Sequence, residues 1–194
     1  MPLIKACPGK VGTGFSDKDM RPKQSADEVE DRYLRIADDS PVPEEGSVLL
    51  PAARFLADAE RIAGRPGATG VIWPNDRDIA ELAAYLGRLS LIALVFPTFK
   101  DGRAYSQART LRERYRFRGE LRATGDILRD QFLFLHRAGF DAFELKKSAD
   151  VPAFCAALQR YIAFYQPAAD GAVSVLRQRV KANAERQLPA TEHA

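Results

Sequence analysis

Short apolar runs alternate with longer amphipathic stretches from Ser47 onward, and this alternation predicts a sheet covered by helices. The predicted strands are residues 48–50, 70–74, 91–97, 120–124 and 142–145. Between them, apolar residues recur every three or four positions, as in Ile79, Leu82, Leu86 and Leu89, which is the spacing of an amphipathic helix. The third run, LIALVFP, is apolar throughout, as expected of a strand buried on both faces of a parallel sheet.

The spacing of these strands predicts the fold class. They begin about 21–28 residues apart, which is the length of one strand followed by one helix. We therefore predict an α/β protein in which about five βα units form an open parallel sheet, either doubly wound or a half-barrel. A closed eight-stranded barrel is excluded, because it needs roughly 200–250 residues of its own.

The chain divides by composition into three parts. Residues 1–46 are rich in glycine, proline and charge, and we interpret them as a loosely ordered, flexible N-terminal arm with one short helix near Glu28–Ile36. Residues 47–166 are predicted to form a single α/β domain. Residues 167–194 are predicted to form a C-terminal helix and a tail.

Composition excludes several classes of protein. Of the 194 residues, 46% are hydrophobic and 28% are charged, but no apolar run is long enough to span a membrane. The N-terminus has no apolar core of a secretory signal. Two cysteines, Cys7 and Cys155, form no zinc pattern, and two histidines are too few for a His-rich site. We expect a cytoplasmic protein without a metal or other cofactor.

The formal net charge of +3 conceals an uneven distribution. Residues 17–45 carry ten acidic and five basic side chains, whereas residues 98–122 carry eight basic and three acidic ones. An anion or an acidic partner would be attracted to the second segment. About half of its arginines are equally well explained as the solvated face of a helix.

The loop after the third strand, TFKDGRAYS, is the first candidate binding segment. It contains Lys100, Asp101, Arg103 and Ser106, and we expect Ser106 to begin a helix whose N-terminal N–H groups point the same way as the two cations. Ligands of parallel α/β proteins bind at the carboxyl ends of strands, so this loop would suit a small anion. In the structural alternative, Asp101 and Gly102 form a turn and Arg103 pairs with Asp101.

The next segment, ELRATGD, is the second candidate. Alternation along the strand places Glu120, Arg122 and Thr124 on one face, where charged side chains are costly unless they are paired or face a cavity. Arg122 should therefore bond acidic neighbours or reach a ligand. The predicted anion-binding residues are Lys100, Asp101, Arg103, Ser106, Arg122, Thr124 and Asp126.

Residues 91–145 resemble a known family. The blocks FPTFKDGRAYSQAR and GELRATGDILRDQ are distinctive, and they resemble the bacterial family known as domain of unknown function nine-three-four. Its members are typically encoded beside assimilatory sulfite reductase, so the resemblance implies a role in sulfur assimilation. A cysteine commonly stands in the family where this chain has Ala138, which argues against a cysteine-based redox mechanism.

Two functions of different class follow. In the first, the chain is an accessory protein of sulfate and sulfite reduction that docks on sulfite reductase, or on another sulfur-assimilation enzyme, through residues 100–122. In the second, it is a small enzyme or sensor that binds an oxyanion or a phosphate ester, with Asp101 or Asp126 as the base. The sequence contains no recognisable redox motif, which favours the first. Neither nucleic acid nor a membrane is an expected partner.

Overall fold

A computed structural model describes residues 1–6, 26–38, 40–159, 164–169 and 174–187, and its described strands form one eight-stranded sheet. The strands are β1 (Leu3–Ala6), β2 (Ala26–Val29), β3 (Leu34–Arg35), β4 (Val48–Pro51), β5 (Thr69–Trp73), β6 (Leu91–Phe96), β7 (Glu120–Gly125) and β8 (Ala142–Glu144). The α-helices are α1 (Ala52–Ala57), α2 (Ala59–Ala63), α3 (Arg103–Arg109), α4 (Phe132–Arg137), α5 (Val151–Gln159) and α6 (Val175–Gln187). A 3-10 helix over Ile79–Tyr85 connects β5 to β6, and a π-helical turn over Thr110–Arg114 extends α3.

The strand order is β2-β1-β8-β7-β6-β5-β4-β3. Strands β3 to β8 are parallel and follow one another in chain order, whereas β1 and β2 are antiparallel to their neighbours. A doubly wound sheet reverses its strand order at one point, and this sheet does not. The α/β sheet is thus a curled half-barrel, one of the two predicted alternatives.

All five predicted strands are present, as β4 to β8. The count of about five βα units is not confirmed, because β3 adds a sixth parallel strand and a 3-10 helix stands between β5 and β6. The short helix predicted near Glu28–Ile36 is wrong, since this stretch contributes to β2 and forms β3.

Residues 1–46 contribute three strands that the sequence pattern did not predict. Residues 7–25 of this segment lie outside the described part of the chain. Ile4 in β1 is fully buried and pairs with Phe143 in β8, a partner from a distant part of the sequence. Strands of two to four residues give too short a pattern to be recognised without their partners. The domain boundaries at 46 and 166 remain predictions.

The main core lies between one face of the sheet and the helices. Ile92, Leu94 and Phe96 of β6 point into it, together with buried residues of the helices such as Phe55 and Phe132. The alternate residues of the strands point to the opposite, concave face. A small apolar cluster lies there, formed by Tyr33, Leu49, Leu91 and Ala93.

The C-terminal helices pack differently from each other. Phe154 of α5 is buried in the main core, whereas Leu176 and Val180 of α6 are more than half exposed. Tyr165, between these two helices in the chain, is exposed. None of the described helices combines the length and the apolar composition needed to cross a membrane.

Candidate functional site

The loops that follow β6 and β7 meet at the carboxyl rim of the sheet. The backbone N–H of Phe99 donates a hydrogen bond to Asp126 Oδ2 at 3.1 Å, and Gln131 Nε2 donates to the carbonyl of Phe99 at 2.7 Å. Lys146 Nζ lies 2.7 Å from Asp126 Oδ1. The hydrogen bonds from Lys146 and from the Phe99 N–H hold the pKa of Asp126 below its ordinary value. Asp126 therefore links three successive rim segments as a carboxylate.

The first candidate loop is closed by a local ion pair. Arg103 donates from Nη2 to Asp101 Oδ2 at 2.7 Å and from its backbone N–H to Asp101 Oδ1 at 3.1 Å. The side-chain and backbone hydrogen bonds from Arg103 hold the pKa of Asp101 well below its usual range. Helix α3 begins at Arg103, so the prediction that Ser106 begins this helix is wrong. Ser106 lies one turn inside it and is exposed.

Lys100 is the one cation of this loop without an ion-pair partner among the described residues. Its side chain is exposed, and Nζ lies 5.6 Å from the centre of the Phe99 ring, within the range of a cation–π contact. Lys100 therefore presents a positive charge to solvent at the carboxyl rim, one position after Phe99, whose N–H donates to Asp126.

Arg122 of β7 lies on the concave face, where its side chain is only 1% exposed. Its guanidinium donates to Glu120 Oε1 at 2.9 Å, to Glu144 Oε1 at 3.1 Å and to Asp31 Oδ2 at 2.6 Å. Burial by itself would lower the pKa of Arg122, but the hydrogen bond to Asp31 and the charge of Glu120 outweigh it and raise the pKa. Of the two outcomes predicted for this residue, the structure shows pairing with acidic neighbours.

Three further side chains complete a connected network around Arg122, which we call the interior charge cluster. Lys5 Nζ lies 2.5 Å from Glu120, and Arg35 Nη2 donates to Glu144 at 2.7 Å. The hydroxyl of Thr124 donates to Glu144 Oε2 at 2.6 Å. The cluster consists of Lys5, Asp31, Arg35, Glu120, Arg122, Thr124 and Glu144.

The seven predicted anion-binding residues therefore occupy separate places. Arg122 and Thr124 belong to the interior charge cluster, whereas the other five lie on the carboxyl rim or on α3. The two predicted loops do meet at one rim, but Arg103 and Arg122 are held by different carboxylates. Arg122 points to the concave face, and Arg103 is held by Asp101 two positions before it. Whether any of the seven binds a ligand stays a prediction.

The amino rim carries a second positively charged region. Arg112 is half-buried, and its guanidinium donates hydrogen bonds to the carbonyls of Phe117, Gly119 and Gly139. It also forms an ion pair with Asp141. These bonds shape the loop that leads into β7.

Arg116, in the middle of this loop, has a φ of 56°, in the left-handed region that non-glycine residues rarely adopt. Arg114, Arg116 and Arg118 are all exposed, while Phe117 between them is buried. None of the three arginines forms an ion pair with another described residue. We call this set the amino-rim arginines.

A surface cavity of about 460 Å³ lies beside the amino-rim arginines. Its lining residues are Arg112, Glu113, Arg116, Phe117, Arg118, Asp141, Ala168 and Ala169. Three arginines against two carboxylates give the lining a positive balance, which suits an anionic group. Within the described part of the chain, no three His, Cys, Asp or Glu side chains are grouped as a metal site requires.

The sequence indicated some of these residues and missed others. Alternation along β7 correctly placed Glu120, Arg122 and Thr124 on one face. Asp31 and Glu144 were missed, because they lie 91 and 22 positions from Arg122 on other segments, and no local pattern connects them to it. The excess of acidic residues at 17–45 could have indicated that some of them form ion pairs with the basic segment.

Comparisons with known proteins identify the family. A family model described as a bacterial protein of unknown function (DUF934) matches residues 70–176, which include β6 to β8, all but the first residue of β5, both rim loops and the amino-rim arginines. Comparisons with curated proteins and with solved structures gave no significant match. Because the matched residues make up more than half of the 194, this protein belongs to the bacterial DUF934 family.

Proposed function

We propose that this chain is a cytoplasmic accessory protein of assimilatory sulfate and sulfite reduction, and that it docks on sulfite reductase through the amino-rim arginines. The resemblance to a family encoded beside sulfite reductase supports the pathway. The observation that carries the docking surface is the exposure of Arg114, Arg116 and Arg118, of which Arg116 and Arg118 line one cavity.

The other arginines of the basic segment are less available to a partner. Arg103 pairs with Asp101, Arg109 with Glu113 and Arg112 with Asp141, and Arg122 is buried. Arg114, Arg116 and Arg118 are therefore the arginines of this segment that are not already balanced by a described carboxylate. Such a surface favours association with an acidic surface, and the association should weaken as salt increases.

Reversing two charges of the amino rim tests the docking surface. Arg116→Glu combined with Arg118→Glu is expected to weaken binding to purified sulfite reductase at least about tenfold, because like charges would then face an acidic partner. Binding is measured by interferometry at about 50 mM and about 300 mM salt. The affinity of the native chain should be lower at the higher salt concentration. Both side chains are exposed, so the variant should keep the native melting temperature.

The matched control is Arg129→Glu, an exposed arginine on the carboxyl rim. It makes the same change of charge away from the proposed surface and should bind like the native chain. If native protein does not bind sulfite reductase, or if Arg129→Glu loses as much affinity as the double variant, the docking proposal fails.

The carboxyl rim supports a second candidate function, the binding of an oxyanion or a phosphate ester. Lys100 and Arg103 are exposed there, and the two predicted loops are tied together by Phe99 and Asp126. If the chain is an enzyme, Asp126 or Asp101 would serve as the base. If it is a sensor, these carboxylates would only hold the rim cations in position.

Arg103→Ala is expected to leave the fold intact, since an exposed ion pair contributes little to stability. In this second function, sulfite, sulfate or phosphate should raise the melting temperature of the native protein and not that of Arg103→Ala. The measurement is a thermal-shift titration at constant ionic strength. Equal shifts in both proteins, or none in either, would remove the carboxyl rim as an anion site.

A further inference from the structure

A four-residue connection crosses the concave face of the half-barrel. Residues 30–33, which we call the strap, join β2 at one edge of the sheet to β3 at the other. Seven intervals between neighbouring strands amount to about 34 Å along the sheet. The five steps from Val29 to Leu34 reach at most about 18 Å when fully extended. The strap can connect the two edges only because the sheet is curled, and it closes the opening of the curl.

Contacts made by the strap confirm that it lies over the concave face. Tyr33 is buried against Leu49, Leu91 and Ala93, and its hydroxyl donates to Ser90 Oγ at 3.1 Å. The guanidinium of Arg122 lies 5.7 Å from the centre of the Tyr33 ring. The strap therefore covers the interior charge cluster.

Asp31 of the strap binds Arg122 as an external anion would. Its two carboxylate oxygens accept from two different nitrogens of Arg122, at 2.6 Å for Oδ2 to Nη1 and 3.0 Å for Oδ1 to Nη2. This two-pronged arrangement is the usual way in which arginine recognises carboxylates and phosphates. Asp31 is nevertheless one-third exposed, so the outer side of this pair is open to solvent.

The charge of the interior cluster is balanced only with Asp31 in place. Its three basic and three acidic side chains are Lys5, Arg35, Arg122, Asp31, Glu120 and Glu144. Three positive and three negative charges sum to zero, and removing Asp31 leaves +1. Arg122 would still be held in position by Glu120 and Glu144, both of which lie on strands of the sheet.

We propose that Asp31 is an internal pseudo-ligand, and that the position it occupies on Arg122 is a binding site for a small oxyanion that opens when the strap is displaced. The entering anion replaces the two hydrogen bonds that Asp31 accepts and restores neutrality. Thr124 lies next to this position on β7 and bonds the neighbouring Glu144. The strap thereby regulates access to the concave face.

This site is separate from the anion site proposed at the carboxyl rim. The two have in common only the chemical class of the ligand, a small oxyanion. The site on Arg122 lies in the half-barrel interior and not at Arg103, and it does not involve the amino-rim arginines. Failure of the Arg103→Ala test would therefore leave it standing, and its own failure would leave the docking proposal standing.

The test compares anion binding by Asp31→Asn with binding by the native chain. Inorganic sulfate and acetate are titrated calorimetrically at constant ionic strength, which distinguishes a tetrahedral from a planar oxyanion. We expect Asp31→Asn to bind at least one of them ten or more times more tightly than the native chain, because the competing carboxylate is gone. In the native chain, the same anion should speed amide hydrogen exchange in residues 30–33.

Glu30→Gln is the matched control, because it removes one negative charge from the same strap at an exposed position. It should bind the anions like the native chain. If Asp31→Asn does not fold, Tyr33→Phe serves instead, since it removes the hydroxyl bond to Ser90 and leaves all six charges. It should tighten anion binding about threefold. Unchanged affinity in the folded variant, or an equal gain in Glu30→Gln, would overturn the proposal.

Discussion

Replacing Arg122 with methionine is expected to lower the free energy of unfolding by about 3–5 kcal/mol, because it removes the buried counter-charge that Glu120 and Glu144 share. Methionine fills much of the volume, so the loss reflects charge and hydrogen bonding more than a cavity. Glu120 and Glu144 are both shielded from solvent, and Lys5 and Arg35 would remain as their only described ion-pair partners. Urea unfolding followed by circular dichroism at neutral pH measures the difference.

Arg103→Met is the control for this variant. It makes the same substitution at an arginine that also pairs with a carboxylate, but on the surface, where such a pair contributes little to stability because water screens it. A loss of less than about 1 kcal/mol in Arg122→Met would show that the interior charge cluster does not stabilise the half-barrel.

Replacing Gly125 with alanine is expected to destabilise the protein by about 2–4 kcal/mol, through backbone strain and a steric clash. Gly125 ends β7 with a φ of +102°, which side chains with a Cβ rarely adopt. A Cβ at this position would lie 2.3 Å from the backbone carbonyl oxygen of Phe96 in β6. The carbonyl oxygen of Phe96 and the Cα that would carry the methyl group both belong to the backbone. The ends of β6 and β7 must therefore move apart to admit the methyl group.

Gly102→Ala provides the comparison for Gly125→Ala. Gly102 lies in the neighbouring rim loop with a φ of −85°, and a Cβ there would meet no atom within 4 Å. Its free energy of unfolding should stay within about 0.5 kcal/mol of the native value. Equal stabilities of the two variants in thermal and urea unfolding would contradict the close approach of β6 and β7 at the rim.

The contrast between Arg103 and Arg122 explains why candidate site residues were only partly predictable. Both were recognised as cations that needed a partner or a ligand. For Arg103, the partner Asp101 is two positions away and was predicted as the structural alternative. For Arg122, Glu120 lies on the same strand, but Asp31 lies 91 positions away, and no local pattern connects the two.

The sequence by itself determined the five central strands, the amphipathic segments between them, the family and the uneven distribution of charge. The strands, the amphipathic segments and the charge distribution follow from periodicity and composition, which are local properties of the chain. The family follows from the match over residues 70–176. Tertiary structure alone decided that β1 and β2 join the sheet antiparallel to their neighbours, that the strap closes the concave face, and which cations stay exposed. Those features depend on contacts between distant segments, whose energies appear only when the sheet curls and brings them together.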